Sequence, residues 1–241
     1  MKETLLMYSG GLDSILSMVR LVNLNYKVKL IHFDNGCNIS IGMETKRAKY
    51  FQEKYGKDKV EYVGKISTIS AFRENERMLS NIPFSEIQNQ YGDCTINQIR
   101  CLNCRSAMYY EAIIYALRNN IKYIAEGARK VQLFAIEQPT MIQAYKELLS
   151  HFNIELLLPV YELQDDFRRD NELLRYGIVP IPSEDKCILG MPLEKEVANN
   201  QINTINNIFR EEIKPKYIKS LKKESLPIQK IFKGNNNIQY Y

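Results

Sequence analysis

Two groups of residues in this sequence have the types and spacing that chemistry requires. The first is Ser9-Gly10-Gly11-Leu12-Asp13-Ser14. Paired glycines let a backbone turn tightly and approach a ligand. A helix that starts there offers free N–H groups and a positive dipole end to an anion. The two serine hydroxyls add short donors. Asp13 would repel a phosphate unless it holds a bridging cation such as Mg²⁺. A Gly-Gly turn that merely caps a helix uses the same residues. The G-x-x-x-x-G-K-[ST] pattern of a Walker loop is not present.

The second group is Cys101-Leu102-Asn103-Cys104, with Cys187 far downstream in a proline-rich stretch. Residues three apart on a helix share a face. The reading places this C-x-x-C at the start of a helix running from about Cys104 to Asn119. Thiols there become more acidic and serve as nucleophiles or metal ligands. The chain has five cysteines, the others being Cys37 and Cys94. An odd count argues against a disulfide framework and leaves metal binding or thiol chemistry open. A three-cysteine zinc site would need a fourth ligand, from Cys94 or a histidine. Ordinary buried cysteines remain an alternative, and Cys37 and Cys94 are read as outside the site.

The elements that must position these residues follow from hydrophobic period. Thr4 to Tyr8 is a short apolar run that breaks at Ser9, as a buried strand does. Leu12, Ile15, Leu16, Val19 and Val22 then fall on one helical face. Strands at Val28–Phe33 and Val60–Val63 flank a helix at Met43–Tyr55. The result is β-α-β-α-β, and hence a parallel sheet with helices on its faces. Further on, strands are expected at Tyr123–Ala125 and Glu155–Val160, and helices at Pro139–Phe152 and Asp165–Tyr176. Residues 66–100 read less clearly, as helix with loops. The stretch from Ile178 to Leu193 reads as loop and the remainder as helix with a frayed tail. The expected fold is α/β, a Rossmann-like parallel sheet of about five strands with a short helical C-terminal extension. The expected division is 1–192 for the main domain and 193–241 for the extension.

Glu126-Gly127-Ala128-Arg129-Lys130 would sit at the C-terminal end of a parallel strand, where open α/β sheets bind ligands. Gly127 permits close approach there, and Arg129 or Lys130 supplies charge for phosphates. Asp165-Asp166 reads as a helix N-terminus rather than a catalytic pair. Charge is uneven over the 241 residues: from Lys214 onward there are seven lysines and one acid, Glu224. Such a tail is either a nucleic-acid contact or a solvated terminus. No apolar run reaches the ~18 residues of a membrane span, and no secretion signal is evident. The expectation is a cytoplasmic protein with no membrane contact.

After an N-terminal strand, Ser9-Gly10-Gly11-Leu12-Asp13-Ser14 resembles the S-G-G-x-D-S motif of the PP-loop ATP pyrophosphatases. The resemblance implies an adenine-nucleotide α-hydrolase-like fold. It also implies cleavage of ATP between its α and β phosphates, with adenylation of a substrate oxygen and displacement of AMP by sulfur or an amine. Ser9, Gly10, Gly11, Leu12, Asp13 and Ser14 would then hold the pyrophosphate part of ATP with Mg²⁺. The end of the second strand, at His32-Phe33-Asp34, lies where the family contacts adenine, although His32 reads as a core histidine.

Within that family, Cys101, Cys104 and Cys187 resemble the three-cysteine sulfur transferases that thiolate tRNA. There three thiolates bind a [4Fe–4S] cluster. Cys101-x-x-Cys104 leads into a helix, a strand ending at Glu126-Gly127 and then Gln132, while Lys186-Cys187-Ile188-Leu189 resembles a late segment of one such group. The resemblance spans residues 4–190. These residues carry no four-cysteine zinc pattern of the nitrile-forming members, and no flanking zinc module. A persulfide pair, Cys101 or Cys104 with Cys187, uses the same thiols without a cluster, and zinc is a third use. Arg105, beside Cys104, would tune the thiolates or bind phosphate. The implied function is ATP-dependent sulfur transfer to tRNA or a small molecule, with a sulfur donor as partner and a homodimer as an open assembly. The rivals are an amide- or nitrile-forming ligase using ammonia, and a nucleotide-binding protein without turnover.

Overall fold

A computed structural model describes residues 1–36, 38–39, 42–132, 134–182, 186–187 and 199–223, with 38–39 and 186–187 described by their backbone. The central sheet has five parallel strands. They are β1 (Lys2–Met7), β2 (Tyr26–Asp34), β4 (Val60–Ser67), β5 (Tyr123–Glu126) and β6 (Glu155–Leu157), in the order β4-β2-β1-β5-β6. The chain builds outward from β1 through β2 to β4 and then crosses back to β5. The connections of β1 and β5 therefore leave in opposite directions. That reversal opens a crevice at the C-terminal ends of the two strands.

β1 is apolar on both faces because both are covered. Leu5 and Met7 point into one core, with Ile31, Phe33, Ile113 and Leu148; Leu6 and Tyr8 point into the other, with Leu16, Val19, Leu30 and Phe51. Helices α1 (Leu12–Asn23), α2 (Met43–Tyr55) and α7 (Asp166–Arg175) cover the second face. On the first lie α3 (Ile69–Ser80), α4 (Phe84–Tyr91), α5 (Ile96–Arg118), α6 (Pro139–Ser150) and α8 (Asn199–Ile208).

Two stretches differ from the sequence reading. α5 begins at Ile96, not near Cys104, because Thr95 and Gln98 form a reciprocal capping box that the apolar pattern does not reveal. The stretch before it, read as helix with loops, folds as α3 and α4 as expected. Lys186–Cys187, read as loop, is strand β7, paired antiparallel with strand β3 (Asn38–Ile39).

The C-terminal helix continues past α8 through a π-helical turn at Phe209–Ile213 and on to residue 223. Pro215 follows that turn. A proline removes the bond to the carbonyl four residues back, and a widened turn absorbs the loss. Ile205, Phe209, Ile213, Tyr217 and Leu221 from this helix lie in the same core as Leu5 and Ile113. The expected domain boundary at 192/193 lies outside the described residues.

Candidate active site at the C-terminal edge of the sheet

Between β1 and α1, Ser9 to Ser14 form a loop held by its own hydroxyls. The Ser9 hydroxyl accepts from Gly11 N–H at 3.1 Å and donates to Ser14 Oγ at 3.3 Å, and Ser14 Oγ donates to the Gly11 carbonyl at 2.8 Å. Gly11 is the N-cap of α1, and no described side chain caps that helix end. The first amides of α1 are left facing the crevice, the arrangement that favours an anion. Gly10 has φ +83°, and a Cβ there would lie 2.7 Å from the Glu44 Cβ. Leu12 places its side chain in the core, so only its backbone belongs to the loop.

Gly127 closes the loop from the other side. A Cβ on it would meet Ser14 N at 2.8 Å and Asp13 C at 2.9 Å, so the end of β5 packs backbone to backbone against the start of α1. The next turn brings Arg129 and Gln132 onto Asp13. Arg129 Nε is 3.0 Å from Asp13 Oδ1, and Gln132 Nε2 donates to Oδ2 at 3.0 Å. Arg169 of α7 adds a second guanidinium, its Nη1 3.5 Å from the same Oδ1. Burial raises the Asp13 carboxyl above the ordinary carboxylate range, and the two guanidiniums oppose that rise. Asp166 binds both arginines, Arg129 Nη2 at 2.6 Å and Arg169 Nη1 at 3.0 Å, while Asp165 caps α7 by accepting from Arg168 N–H at 2.7 Å. Lys130 donates its backbone N–H to the Tyr161 carbonyl.

Beneath the crevice lies a buried charge network. Arg105 pairs with Glu126 at 2.8 Å and with Glu137 at 3.0 Å, and Tyr109 donates to Glu126 at 2.8 Å. Burial pushes the Glu137 carboxyl up to about 7 against the pull of Arg105. Two buried carboxylates engage the Arg105 guanidinium.

On the other flank, Glu44 of α2 is fully buried behind Gly10 and ion-paired with Lys65. Burial alone would raise this carboxyl, yet Lys65, its own backbone and Thr45 hold it down to about 2. Arg47 donates to the Gly10 carbonyl at 3.0 Å and also to the Ile181 carbonyl. It ties the Ser9–Ser14 loop to the segment around Ile181. His32 is a core residue, its Nδ1 3.1 Å from the Tyr8 carbonyl oxygen. Phe33 is 5% exposed and packs among core side chains, so its ring lies under the sheet edge rather than on it.

Cys101 and Cys104 are half-buried on α5, past its first turn. The expected acidification by a helix N-terminus does not apply at that depth, since the effect fades beyond the first turn. Asn35, just beyond β2, donates to Cys104 Sγ at 2.9 Å. Cys187 pairs through β7 with Asn38, three residues further along the same connection. Cys94 is 2% exposed in the core, where burial first and then Asp93 push its thiol up to about 11. It is poorly suited to complete a zinc site. Among the described residues no group of three His, Cys, Asp or Glu side chains is arranged to hold a metal. Cys37 and the side chain of Cys187 lie outside them.

Sequence reasoning missed Arg169, Arg47, Asn35 and Glu44. Each sits in a stretch that reads as a charged helix or a turn, with no local signal to separate it from solvated neighbours.

No family model matches the sequence, and no curated protein matches it. The similarity is in the fold. A 4-thiouridine synthetase solved as an RNA complex with bound ATP superposes with a TM-score of 0.63 at 13% identity, over 94% of this chain and 53% of that one. The chain shares the α/β fold of that structure, a five-stranded parallel sheet covered by helices. It spans about half the length of the synthetase. Two weaker superpositions carry no argument. One is a predicted subunit of a tRNA methyltransferase from Methanocaldococcus jannaschii DSM, with TM-score 0.45, 16% identity and 82% and 100% coverage of this chain and that one. The other is an NMN synthetase from Francisella tularensis, with TM-score 0.49, 12% identity and 98% and 88% coverage. In this fold the loop at Ser9–Ser14 lies at the crevice where β1 and β5 diverge.

Proposed function

We propose that the protein is a cytoplasmic ATP-dependent sulfur transferase, with tRNA as the favoured substrate. One observation carries the reading. The phosphate loop, Cys104 and the strand bearing Cys187 meet at one edge of the sheet, joined through Asn35 and Asn38 on a single connection. In support, among the described residues no helix is long and apolar enough to cross a membrane.

In this reading the α1 amides, Ser9, Ser14 and Arg129 hold the β and γ phosphates of ATP. Asp13 is a buried carboxylate whose Oδ1 has no hydrogen-bond partner, which fits a ligand for Mg²⁺. The α-phosphorus is then attacked by the carbonyl oxygen of the substrate. The P–O bond to the β-phosphate breaks and pyrophosphate leaves; a sulfide-level sulfur then attacks the activated carbon and AMP departs with the former carbonyl oxygen. Arg129 and the loop amides stabilise the charge that develops on the leaving pyrophosphate.

In this reading Cys101 and Cys104, one turn apart on α5, together with Cys187, whose backbone pairs with Asn38, would hold a [4Fe–4S] cluster through three thiolates. Bound there, the cluster would supply a soft site for the sulfur to be transferred. Asn35 orients Cys104 by its hydrogen bond to Sγ. The alternative is a persulfide pair of Cys101 or Cys104 with Cys187, without a cluster.

Incubation with ATP, Mg²⁺, sulfide and unmodified tRNA should release AMP and pyrophosphate and yield thiolated RNA. ADP as the product would overturn the reading. Anaerobic purification should give iron and sulfide near four per chain, as a [4Fe–4S] cluster requires, lost in Cys101→Ser, Cys104→Ser or Cys187→Ser. Iron-free protein after anaerobic reconstitution would leave the persulfide pair.

A further inference from the structure

We infer that Arg169 is a second anion-binding guanidinium of the phosphate loop, and that Arg129 and Arg169 form a latch that stays closed on Asp13 until a polyphosphate and its cation arrive. The inference rests on the nucleotide reading of Ser9–Ser14 and extends it to a residue on a different element.

Two arginines converge on one buried carboxylate from separate parts of the fold. Arg129 comes from the turn after β5 and Arg169 from α7, and their side chains are only 6% and 10% exposed. Asp166 and Asp170 balance the two guanidiniums from the solvent side, with side chains 65% and 36% exposed. On the inner side the carboxylate they share is Asp13, so both arginines present donors to the space beside the loop.

The hydrogen bonding points the same way. Asp13 Oδ1 and Arg129 Nε lie 3.0 Å apart, yet neither makes a hydrogen bond, and Arg129 Nη1 is also buried without a partner. The pair is matched in charge and misaligned in geometry. Donors left idle in a buried guanidinium are a vacancy for oxygen atoms of a ligand. α7 cannot drift away to relieve this. Arg20 of α1 fixes it through Glu172, with Nε donating to Oε1 at 2.8 Å, and donates to the Pro159 carbonyl at 2.7 Å. Arg169 is thus held in place at the first turn of α1.

When Mg²⁺ and a polyphosphate enter, the cation takes the Asp13 carboxylate and both guanidiniums turn to phosphate oxygens. Charge is exchanged with no net uncovering of buried ions. Binding of a bare polyphosphate, without a cation for Asp13, must break the latch and is weakened.

The test is calorimetric titration of the full chain with inorganic pyrophosphate in chelator, and with ATP in excess Mg²⁺. Asp13→Asn should bind magnesium-free pyrophosphate roughly tenfold or more tightly than the wild type, because both guanidiniums are released. That gain should vanish in the Asp13→Asn/Arg169→Gln double variant, which separates the latch from simple loss of repulsion. Arg169→Gln alone should weaken ATP binding about tenfold, and Arg169→Lys should recover part of it. Unchanged pyrophosphate affinity in Asp13→Asn, survival of the gain in the double variant, or unchanged ATP affinity in folded Arg169→Gln overturns the latch while wild-type ATP binding keeps the nucleotide reading. If Arg169→Gln does not fold, the Asp13→Asn titration decides alone. A wild type that binds neither ligand overturns both.

Discussion

A single methyl group placed on Gly127 would meet the backbone of Ser14 at 2.8 Å and of Asp13 at 2.9 Å. Both neighbours are main chain and cannot swing aside. Gly127→Ala should therefore push β5 and α1 apart and weaken ATP binding by about tenfold or more with helical content retained. Equal ATP affinity by titration would show that the two backbones have room to spare. Glu137 supplies a second prediction. Its ordinary pKa near 4.5 is raised to about 7 in the folded chain, chiefly by burial. The folded state binds the proton more tightly than the unfolded state, so this group's stabilisation is complete below about 4.5 and is lost as pH rises through 7. Chemical denaturation across that range should show stability falling with pH, and Glu137→Gln should flatten the slope. An identical slope in the variant would exclude Glu137 as its source.

At the scale of elements, α5 carries the thiols and its start decides where they stand. The capping box of Thr95 and Gln98 sets that start at Ile96. Removing the cap by Thr95→Ala should cost about 1 kcal/mol, which is roughly a 2–4 °C fall in Tm for a chain of this size. An unchanged melting curve would mean that packing alone fixes the helix end. Because the cap lies upstream, Cys101 and Cys104 are beyond reach of the helix dipole. Their neighbours, beginning with Asn35, must set their reactivity. Asn35→Ala removes the bond to Cys104 Sγ. In the proposed reading it should slow sulfur transfer while AMP and pyrophosphate release in the adenylation half-reaction continues. Equal loss of both steps would instead place Asn35 in the nucleotide site.

For the whole molecule, the basic C-terminus divides into a packed part and an exposed face. Lys214 pairs with Glu147 at 2.8 Å, and Tyr217 and Leu221 are buried in the core. Deletion from Lys214 onward would thus remove core residues together with charge. Lys216, Lys219 and Lys223 are exposed on the same helix at spacing that keeps them near one face. Their replacement by glutamine leaves the core intact. If RNA binds there, the triple variant should weaken tRNA binding and lower its salt slope by roughly one unit per lost phosphate contact. An unchanged slope would make this face a solvated surface.

Much was legible in the sequence by itself. Ser9–Ser14 is a contiguous motif, and local strand, turn and helix signals place it at a β1–α1 junction without any distant contact. The continuous apolar run of β1, the face of α1 and the alternation of elements are likewise local, so the parallel α/β sheet followed from them. Only the tertiary structure decided which distant charges meet there. Arg129, Arg169, Gln132 and Asp13 converge because β5 packs on α1 and α7 is pinned by Arg20. Nothing in a run such as Asp165-Asp166-Phe167-Arg168-Arg169 tells the arginine that turns inward from the one left in solvent. The pairing of Cys187 with Asn38 was hidden for a related reason, since a two-residue strand exists only through its distant partner. The Thr95-x-x-Gln98 box of α5 is a local pattern that the sequence does carry, and the C-x-x-C drew the expected helix start past it.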